Sequence, residues 1–119
     1  MKTDLLYLRH IAENVRRIRE FSAPGAKSFF DDAKTQYAIL RALQILTEST
    51  QRLSTDFKAA HPEIGWTAIG GLRNILVHDY LGVKLLRIWE IIENDLPEFE
   101  QVVSEEMREH SHEDGQEKK

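Results

Sequence analysis

The chain contains no cysteine and only three prolines among its 119 residues. Without cysteine there is no disulfide, no thiolate nucleophile and no cysteine-based zinc site. No apolar run approaches the roughly 20 residues that span a bilayer. Asp4 and Arg9 interrupt the segment where the apolar core of a signal peptide would lie. We therefore expect a cytoplasmic protein of one domain that does not associate with membranes.

Positive charge is scarce in the second half of the chain. Residues 1–60 carry ten Lys or Arg against seven Asp or Glu, a net charge of +3, whereas residues 61–119 carry six against thirteen, a net charge of −7. A protein that coats nucleic acid is normally basic overall. If this chain acts on nucleic acid, it therefore does so through a local site. The two unlike halves could also face each other in an assembly.

Apolar residues recur at spacings of three and four, and alternation with period two is absent. This pattern predicts helices, the first over about residues 3–21. The arginines on its polar faces are either a solvated surface or contacts to RNA phosphate. A second helical stretch begins at an N-cap, Ser28, and continues to about Ala60. A bend or break is predicted near residues 47–50, because threonine and serine are weaker helix formers.

Further helices are predicted over residues 66–77 and 83–94. After a bend at residues 95–97 the helical pattern continues over residues 98–109, with Pro97 suited to a first turn. The predicted fold is all-α: an antiparallel bundle of four or five helices with short connections. The wide apolar faces of the last helices could also pack against a second copy. The bundle is predicted to comprise residues 1–109. After residue 109 the composition turns polar and charged. Residues 110–119 are therefore predicted to form a disordered tail.

Several common catalytic and metal-binding motifs are missing from the chain. There is no HExxH pair, no GxxxxGK[ST] loop, no GxGxxG after a strand and no Gly-x-Ser-x-Gly. His110 and His112 fall in the predicted tail, and His61 is expected at the surface next to a proline. We therefore expect no metal ion and no cofactor.

Reactive side chains concentrate in the stretch Arg73-Asn74-Ile75-Leu76-Val77-His78-Asp79-Tyr80. Histidine can exchange a proton near neutral pH, and arginine can stabilise charge that develops on a phosphate. The 2′-hydroxyl of RNA supplies an internal nucleophile, so this combination suits RNA cleavage without a metal. On an ideal helix Arg73 and His78 point about 140° from each other. One copy therefore cannot direct both at one small target, whereas two copies about a two-fold axis could.

Interpretations in which these residues are not catalytic stay open. His78 could line the core beside an arginine that is held in an ion pair, and periodicity alone favours this interpretation. Arg73 would then pair with Glu48 or Asp79. Glu48 lies among apolar and small residues, where it is either half-buried and in need of a cation or simply exposed. The chain could also be a helical module that binds a partner protein without catalysing a reaction.

The pattern Arg73-Asn74-x-x-x-His78-x-Tyr80 resembles the Arg-x4–6-His motif of the HEPN superfamily, in the form found in HepT-like toxins. The similarity covers about residues 4–103, nearly the whole predicted bundle. It implies a HEPN-like helical fold and a metal-independent ribonuclease toxin that acts on RNA as a homodimer. In the composite site that the resemblance implies, Arg73 and His78 would be catalytic and Asn74 would support their geometry.

The resemblance also implies a partner and a switch. An MntA-like nucleotidyltransferase antitoxin would transfer AMP from ATP to the hydroxyl of Tyr80, and the bulky anion would block RNA entry. Glu48 and Asp79 are placed in the predicted site as supporting carboxylates. Thr47 and Thr50 stand where the family has glycine and alanine around Glu48, so local packing is expected to differ there. The remaining alternative is a non-catalytic adaptor of such a nucleotidyltransferase.

Overall fold

The structure, a computed structural model, is built from α-helices, and the described residues contain no strand. It describes the backbone of residues 2–79 and 82–117 and the side chains of residues 3–79 and 82–110. The predicted all-α fold is therefore confirmed, although short helices that were not predicted also occur in the connections. Within the described part, no helix is both long and apolar enough to cross a bilayer. The helices are α1 (Lys2–Ser22), α2 (Ala26–Asp31), α3 (Ala33–Gln51), α4 (Thr55–Ala60), α5 (Trp66–His78), α6 (Leu85–Glu90) and α7 (Leu96–Glu117), with a π-helical turn at Ile91–Asp95.

Helices α1 and α3 form the centre of the bundle and run antiparallel. Asp4, in the first turn of α1, accepts hydrogen bonds from the backbone N–H and the hydroxyl of Ser54, at 2.8 and 2.7 Å. Ser54 lies just beyond the end of α3, so the start of one helix meets the end of the other. Asp4 is buried, and hydrogen bonds to a carboxylate are strong enough to offset much of its lost hydration. Fully buried side chains in this pair include Leu8, Ile11 and Ile18 of α1 and Ile39 of α3.

The start of α3 is set by Asp32, and the prediction that Ser28 caps this helix is wrong. The carboxylate of Asp32 accepts from the backbone N–H of Lys34 at 3.2 Å and from the hydroxyl of Thr35 at 2.6 Å. The hydrogen bond from Thr35 lowers the pKa of Asp32. Ser28 lies inside α2, which follows Gly25, whose φ of 103° is readily adopted only by glycine. The helical stretch predicted from Ser28 to about Ala60 is therefore interrupted at Asp32, and it comprises the three helices α2, α3 and α4.

Helix α3 continues through Thr47 and Thr50, where a bend or break was predicted. The hydroxyl of Thr47 donates to the carbonyl of Gln44 at 3.1 Å, and that of Thr50 donates to the carbonyl of Leu46 at 2.9 Å. Because these hydroxyls find acceptors inside their own helix, they can be buried without interrupting it. The predicted break lies just beyond these residues, because α3 ends at Gln51 and α4 begins at Thr55.

Pro97 lies in the first turn of α7, as predicted. It is preceded by the π-helical turn Ile91–Asp95. Proline lacks an N–H, and its ring crowds the preceding helical turn. A π-helical turn is wider than an α-helical one, so the chain passes from α6 into α7 with a change in helical form where the sequence predicted a bend.

Helix α7 extends further than predicted. Its backbone stays helical to Glu117, whereas an irregular tail was expected from residue 110. Glutamate and glutamine are good helix formers, so the polar composition by itself does not stop the helix. The side chains beyond His110 lie outside the described part of the chain, and the division at residues 109 and 110 stays a prediction.

Candidate active site

Helix α5 carries the reactive stretch that the sequence singles out. Its extent, Trp66–His78, agrees with the helix predicted over residues 66–77. The indole N–H of Trp66 donates to the carbonyl oxygens of Lys58 and His61, at 3.0 Å each. A partly buried indole needs such an acceptor. These bonds attach the first turn of α5 to the end of α4 and so set where the helix begins.

The helix ends at His78. The N–H of Asp79 donates to the carbonyl of Ile75 at 2.8 Å, and Asp79 itself leaves the helical conformation. The N–H of Gly82 donates to the carbonyl of Asp79 at 2.9 Å, and a Cβ at Gly82 would overlap the Asp79 carboxylate. Asp79 therefore belongs to a turn and not to a helical face. Tyr80, the predicted modification site, lies outside the described residues.

Only the middle residue of the apolar triplet is buried. Leu76 is 2% exposed, whereas Ile75 and Val77 are 45% and 37% exposed. Successive residues of a helix are turned by about 100°, so the side opposite Leu76 carries Asn74 and His78, which are both exposed. Ile75 and Val77 flank these polar residues. We call this the outward face of α5; it is polar at its centre and apolar at its edges.

Arg73 lies at the border of the outward face and is half-buried. Its Nη1 donates to the side-chain oxygen of Asn74 at 3.1 Å. Its Nε is buried without a hydrogen-bond partner, an arrangement that costs roughly 1–3 kcal/mol. Within the described residues Arg73 forms no ion pair with Glu48 or Asp79, so the alternative in which Arg73 is held by one of these carboxylates has no support in one copy of the chain. The guanidinium keeps donors that an external anion could accept.

The other predicted residues are not gathered around Arg73 in one chain. His78 is five positions further along α5, and its ring has no hydrogen bond or ion pair within the described part. Glu48 lies on α3 and accepts from the side-chain amide of Gln44 at 3.1 Å. Of the predicted site residues that the structure describes, Arg73 and Asn74 are thus the pair brought into contact.

Two adjacent glycines lie in the middle of α5. A Cβ at Gly70 would come 3.2 Å from the side-chain nitrogen of Gln51, whereas a Cβ at Gly71 would meet nothing within 4 Å. Glycine in a helix interior costs about 1 kcal/mol relative to alanine. The close approach of Gln51 explains why glycine occupies position 70. Nothing within the described part of the chain explains why glycine occupies position 71. Gly71 is on the outward face, one turn before Asn74.

A groove between α1 and α3 was not predicted. It encloses about 180 Å³ and combines two guanidinium groups, a carboxylate and an aromatic ring. Its α3 residues recur at spacings of three and four, so they share one face of that helix. The spacing is visible in the sequence, but only the packing of α1 closes the other wall. The lining residues are Tyr7, Arg41, Ile45, Glu48, Ser49 and Arg52.

A histidine cluster ties α7 to the loop before α5. His61 Nε2 lies 2.8 Å from one oxygen of Glu106, and His110 Nε2 lies 3.6 Å from the other. The His61 side chain is 17% exposed, so the predicted surface position is wrong. Among the described residues no group of three or more His, Asp or Glu is arranged to hold a metal ion. The cluster is therefore interpreted as a structural tie.

Comparison with known proteins gives a match over most of the chain. A family model described as "Ribonuclease HepT-like" matches residues 11–106. "Probable ribonuclease HepT" of Thermococcus cleftensis is 39% identical over 92 residues, 76% of this chain and 84% of that protein. "Putative RNase MJ1380" of Methanocaldococcus jannaschii is 32% identical over 98 residues, 82% and 90% of the two chains. "Putative RNase TTE0752" of Caldanaerobacter subterraneus is 34% identical over 109 residues, 88% and 95%. No solved structure matches the chain.

Proposed function

Since the chain belongs to the HepT-like ribonuclease family, we propose that it is an endoribonuclease toxin that cleaves RNA without a metal ion and is neutralised by an antitoxin. The family match includes all of α5, and the resemblance drawn from its motif is confirmed. The curated relatives carry ribonuclease names and are matched over 84–95% of their length. This supports ribonuclease activity for the chain, and the chemistry of α5 supports the roles of individual residues.

Arg73 and His78 are the proposed catalytic residues. When the 2′-oxygen of a ribose attacks the adjacent phosphorus, a new P–O bond forms and the 5′-oxygen leaves with its electron pair. The hydroxyl proton must be removed and the leaving oxygen protonated, and an imidazole can do either near neutral pH. His78 is exposed and unengaged within the described residues. Arg73, supported by Asn74, would stabilise the charge that develops on the phosphate oxygens.

The proposal requires a second copy of the chain, because within one copy Arg73 and His78 do not point at the same phosphate. The observation that carries it is the outward face of α5. Ile75 and Val77 stay largely exposed there, and Gly71 faces open space. Two such faces packed about a two-fold axis would bury the apolar edges and let the helices approach closely at Gly71. His78 of each copy would then lie near Arg73 of the other.

Tyr80 is the proposed regulatory residue. In adenylylation its phenolic oxygen would form a bond to the α-phosphorus of ATP, pyrophosphate would leave, and the phenol proton would pass to a base on the transferase. The proposed transferase is an MntA-like nucleotidyltransferase antitoxin. A nucleotide two residues from His78 would occupy the space of the RNA phosphate and repel it. Asp79, which shapes the turn before Gly82, would support the position of Tyr80.

Growth and RNA cleavage test the catalytic roles. Expression of the unmodified chain alone should arrest growth, and cleavage should persist in EDTA. His78→Ala should relieve the arrest and slow cleavage by about 10²–10⁴-fold without lowering Tm, because the ring is exposed. Glu109→Ala, an exposed position on α7, is the control and should keep both activities. Full toxicity of a folded His78→Ala protein would contradict the proposal.

Intact mass tests the switch. Co-expression with the nucleotidyltransferase should add AMP-sized increments to the chain, and Tyr80→Phe should remove them. Increments that persist in Tyr80→Phe would move the modification to another residue. A stable complex with the transferase, together with no RNA cleavage by the unmodified chain under any condition, would instead identify the chain as a non-catalytic adaptor.

A further inference from the structure

We propose that the groove between α1 and α3 binds the single-stranded RNA that extends from the cleavage site, with Arg41 and Arg52 contacting its phosphates. The inference rests on the proposed ribonuclease function and adds a substrate-binding surface outside the Arg-x4-His stretch. The groove presents two cations, one carboxylate and one aromatic ring along a single concave face. It is a binding surface, and no reacting atom is assigned to it.

Among the residues that the structure describes, Arg41 and Arg52 differ from Arg16 and Arg19 in having no carboxylate partner. Arg16 forms an ion pair with Glu13, and Arg19 forms one with Glu100. The shortest nitrogen–oxygen distances are 2.7 and 2.8 Å. In the part of the chain that the structure describes, the guanidinium groups of Arg41 and Arg52 have neither an ion pair nor a hydrogen bond, and both residues are exposed. Each therefore keeps its planar set of N–H donors, which matches the geometry of a phosphate.

The separation of the two arginines favours a polymer over a small anion. They are eleven positions apart, close to three helical turns. Arg52 directly follows α3 and keeps right-handed helical backbone angles, so both arginines lie on the same side of the helix. Eleven residues correspond to roughly 16 Å along the axis, which a single phosphate cannot bridge. A stacked strand that advances about 3.4 Å per nucleotide covers this length in about five nucleotides. The ligand that fits both is an extended polyanion.

Tyr7 and Glu48 narrow the ligand to a nucleic acid. The ring of Tyr7 meets the ring of His10 edge-on, with centroids 6.1 Å apart. Aromatic rings beside a line of cations are the usual combination for binding single strands without sequence preference. Glu48 accepts one bond from Gln44 and pairs with neither arginine, so its carboxylate retains acceptor positions. A ribose 2′-hydroxyl or a base amino group can donate to them.

The groove ends next to the helix that carries the catalytic stretch. Gln51 directly precedes Arg52, and its side-chain nitrogen lies 3.2 Å from where a Cβ at Gly70 would stand. Gly70 is one turn before Asn74 on α5. The end of α3, which Arg52 directly follows, therefore borders α5. An RNA strand that leaves the outward face of α5 can continue along α3.

Binding by a chain that cannot cleave tests the groove separately. The protein is the full chain with His78→Ala, and the probe is a fluorescent single-stranded 12-nucleotide RNA, a length of roughly twice the five-nucleotide span. Adding Arg41→Ala and Arg52→Ala should weaken binding about tenfold and reduce the slope of log affinity against log salt by about 1.4, because each single-strand phosphate contact contributes about 0.7. The matched control, Arg16→Ala with Arg17→Ala, removes the same charge from a face where both arginines hold Glu13. It should leave the slope unchanged.

Three outcomes would overturn the proposal. The groove variant could retain both its affinity and its salt slope while circular dichroism shows that it is folded. The control could lose as much affinity as the groove variant, which would assign the effect to net charge. The groove variant could lose binding to the nucleotidyltransferase and keep RNA binding, which would make the groove a protein interface. The two proposals can also fail separately. If RNA binding depends on the groove but the unmodified chain, with His78 intact, never cleaves RNA, the groove proposal is supported and the proposed ribonuclease activity is contradicted.

Discussion

The α1–α3 pair and the outward face of α5 differ in how completely a single chain buries their apolar side chains and pairs their polar groups. In the α1–α3 pair, Asp4 and Thr50 are buried with hydrogen-bond partners, and the apolar residues that face each other are fully covered. On the outward face of α5, Ile75 and Val77 are exposed, and at its border the Nε of Arg73 is buried without a partner. The first region is fully packed within one chain. In the second, apolar side chains and a guanidinium nitrogen lack partners within the described part of the same chain.

Together with the proposed function, this difference predicts that stability and activity depend on different regions. Changes in the α1–α3 core should lower the free energy of unfolding and reduce activity only through unfolding. Changes on the outward face of α5 should keep the fold and lower activity or association. Each prediction below changes one of the two regions and measures both properties.

The largest effect is expected from Leu8→Ala in α1. Leu8 is 0% exposed, so the substitution should lower the free energy of unfolding by about 2–5 kcal/mol, measured by urea denaturation. Leu6→Ala changes the same residue type two positions away, where the side chain is 49% exposed. It should change stability by less than about 0.5 kcal/mol. Equal losses in the two variants would contradict the assignment of Leu8 to the core.

Val77→Glu should separate fold from assembly. In the proposed dimer a carboxylate there would face its own image across the two-fold interface, so association should be lost and RNA cleavage should fall by more than about tenfold. The unfolding midpoint of the monomer should change little, because Val77 is 37% exposed in one chain. Light scattering and a cleavage assay measure the two properties. Leu6→Glu, an exposed apolar position on α1, is the control; loss of association in both variants would contradict a specific interface on α5.

Gly71→Ala should have opposite effects on the two properties. A Cβ at this position meets nothing within the chain, so the isolated chain should gain roughly 0.5–1 kcal/mol of stability from improved helical propensity. If a second copy approaches at Gly71, the same methyl should weaken association and cleavage. Dilution series of Tm and of activity test this. A variant that is more stable and also dimerises and cleaves as before would exclude close approach at Gly71.

Asp32→Asn should have the smallest effect, a loss of stability that is present near neutral pH and disappears at acid pH. The hydrogen bond from Thr35 lowers the pKa of Asp32 below its ordinary value of 3.8. A carboxyl with a lowered pKa stabilises the fold above the pKa of the unfolded chain, and this contribution is lost as the pH falls through the folded pKa. The midpoint of thermal unfolding should therefore depend less on pH in the variant than in the unmodified chain below about pH 4. The same pH dependence in both proteins would contradict the role of Asp32 as a charged cap.

Helical boundaries were predicted where they depend on local apolar spacing and mispredicted where they depend on hydrogen bonds. The extent of α5 follows from the spacing of Trp66, Ile69, Leu72 and Leu76. Ser28 and Asp32 are both good N-cap residues, and the choice between them depends on the hydroxyl of Thr35. The break predicted near residues 47–50 falls just beyond Thr50, at the end of α3, because the hydroxyls of Thr47 and Thr50 bond within the helix.

The candidate site was located by its residue types, but its contacts were not predicted. The stretch from Arg73 to His78 was singled out because it unites a cation, an amide and an imidazole. Its observed contact is between Arg73 and Asn74, whereas Glu48, one candidate partner of Arg73, lines the groove. The groove was missed because Arg41 and Arg52 are far apart in sequence and resemble ordinary surface charges.

The sequence by itself determined the helical fold, the reactive stretch on α5 and the family to which the chain belongs, because residue type and apolar spacing are local properties. Only the tertiary structure decided that Ile75 and Val77 stay exposed around His78, and that Glu48 lies with Arg41 and Arg52. The physical reason is that periodicity gives the angle of a side chain about its own helix. Which angles are covered depends on helices that are distant in the chain.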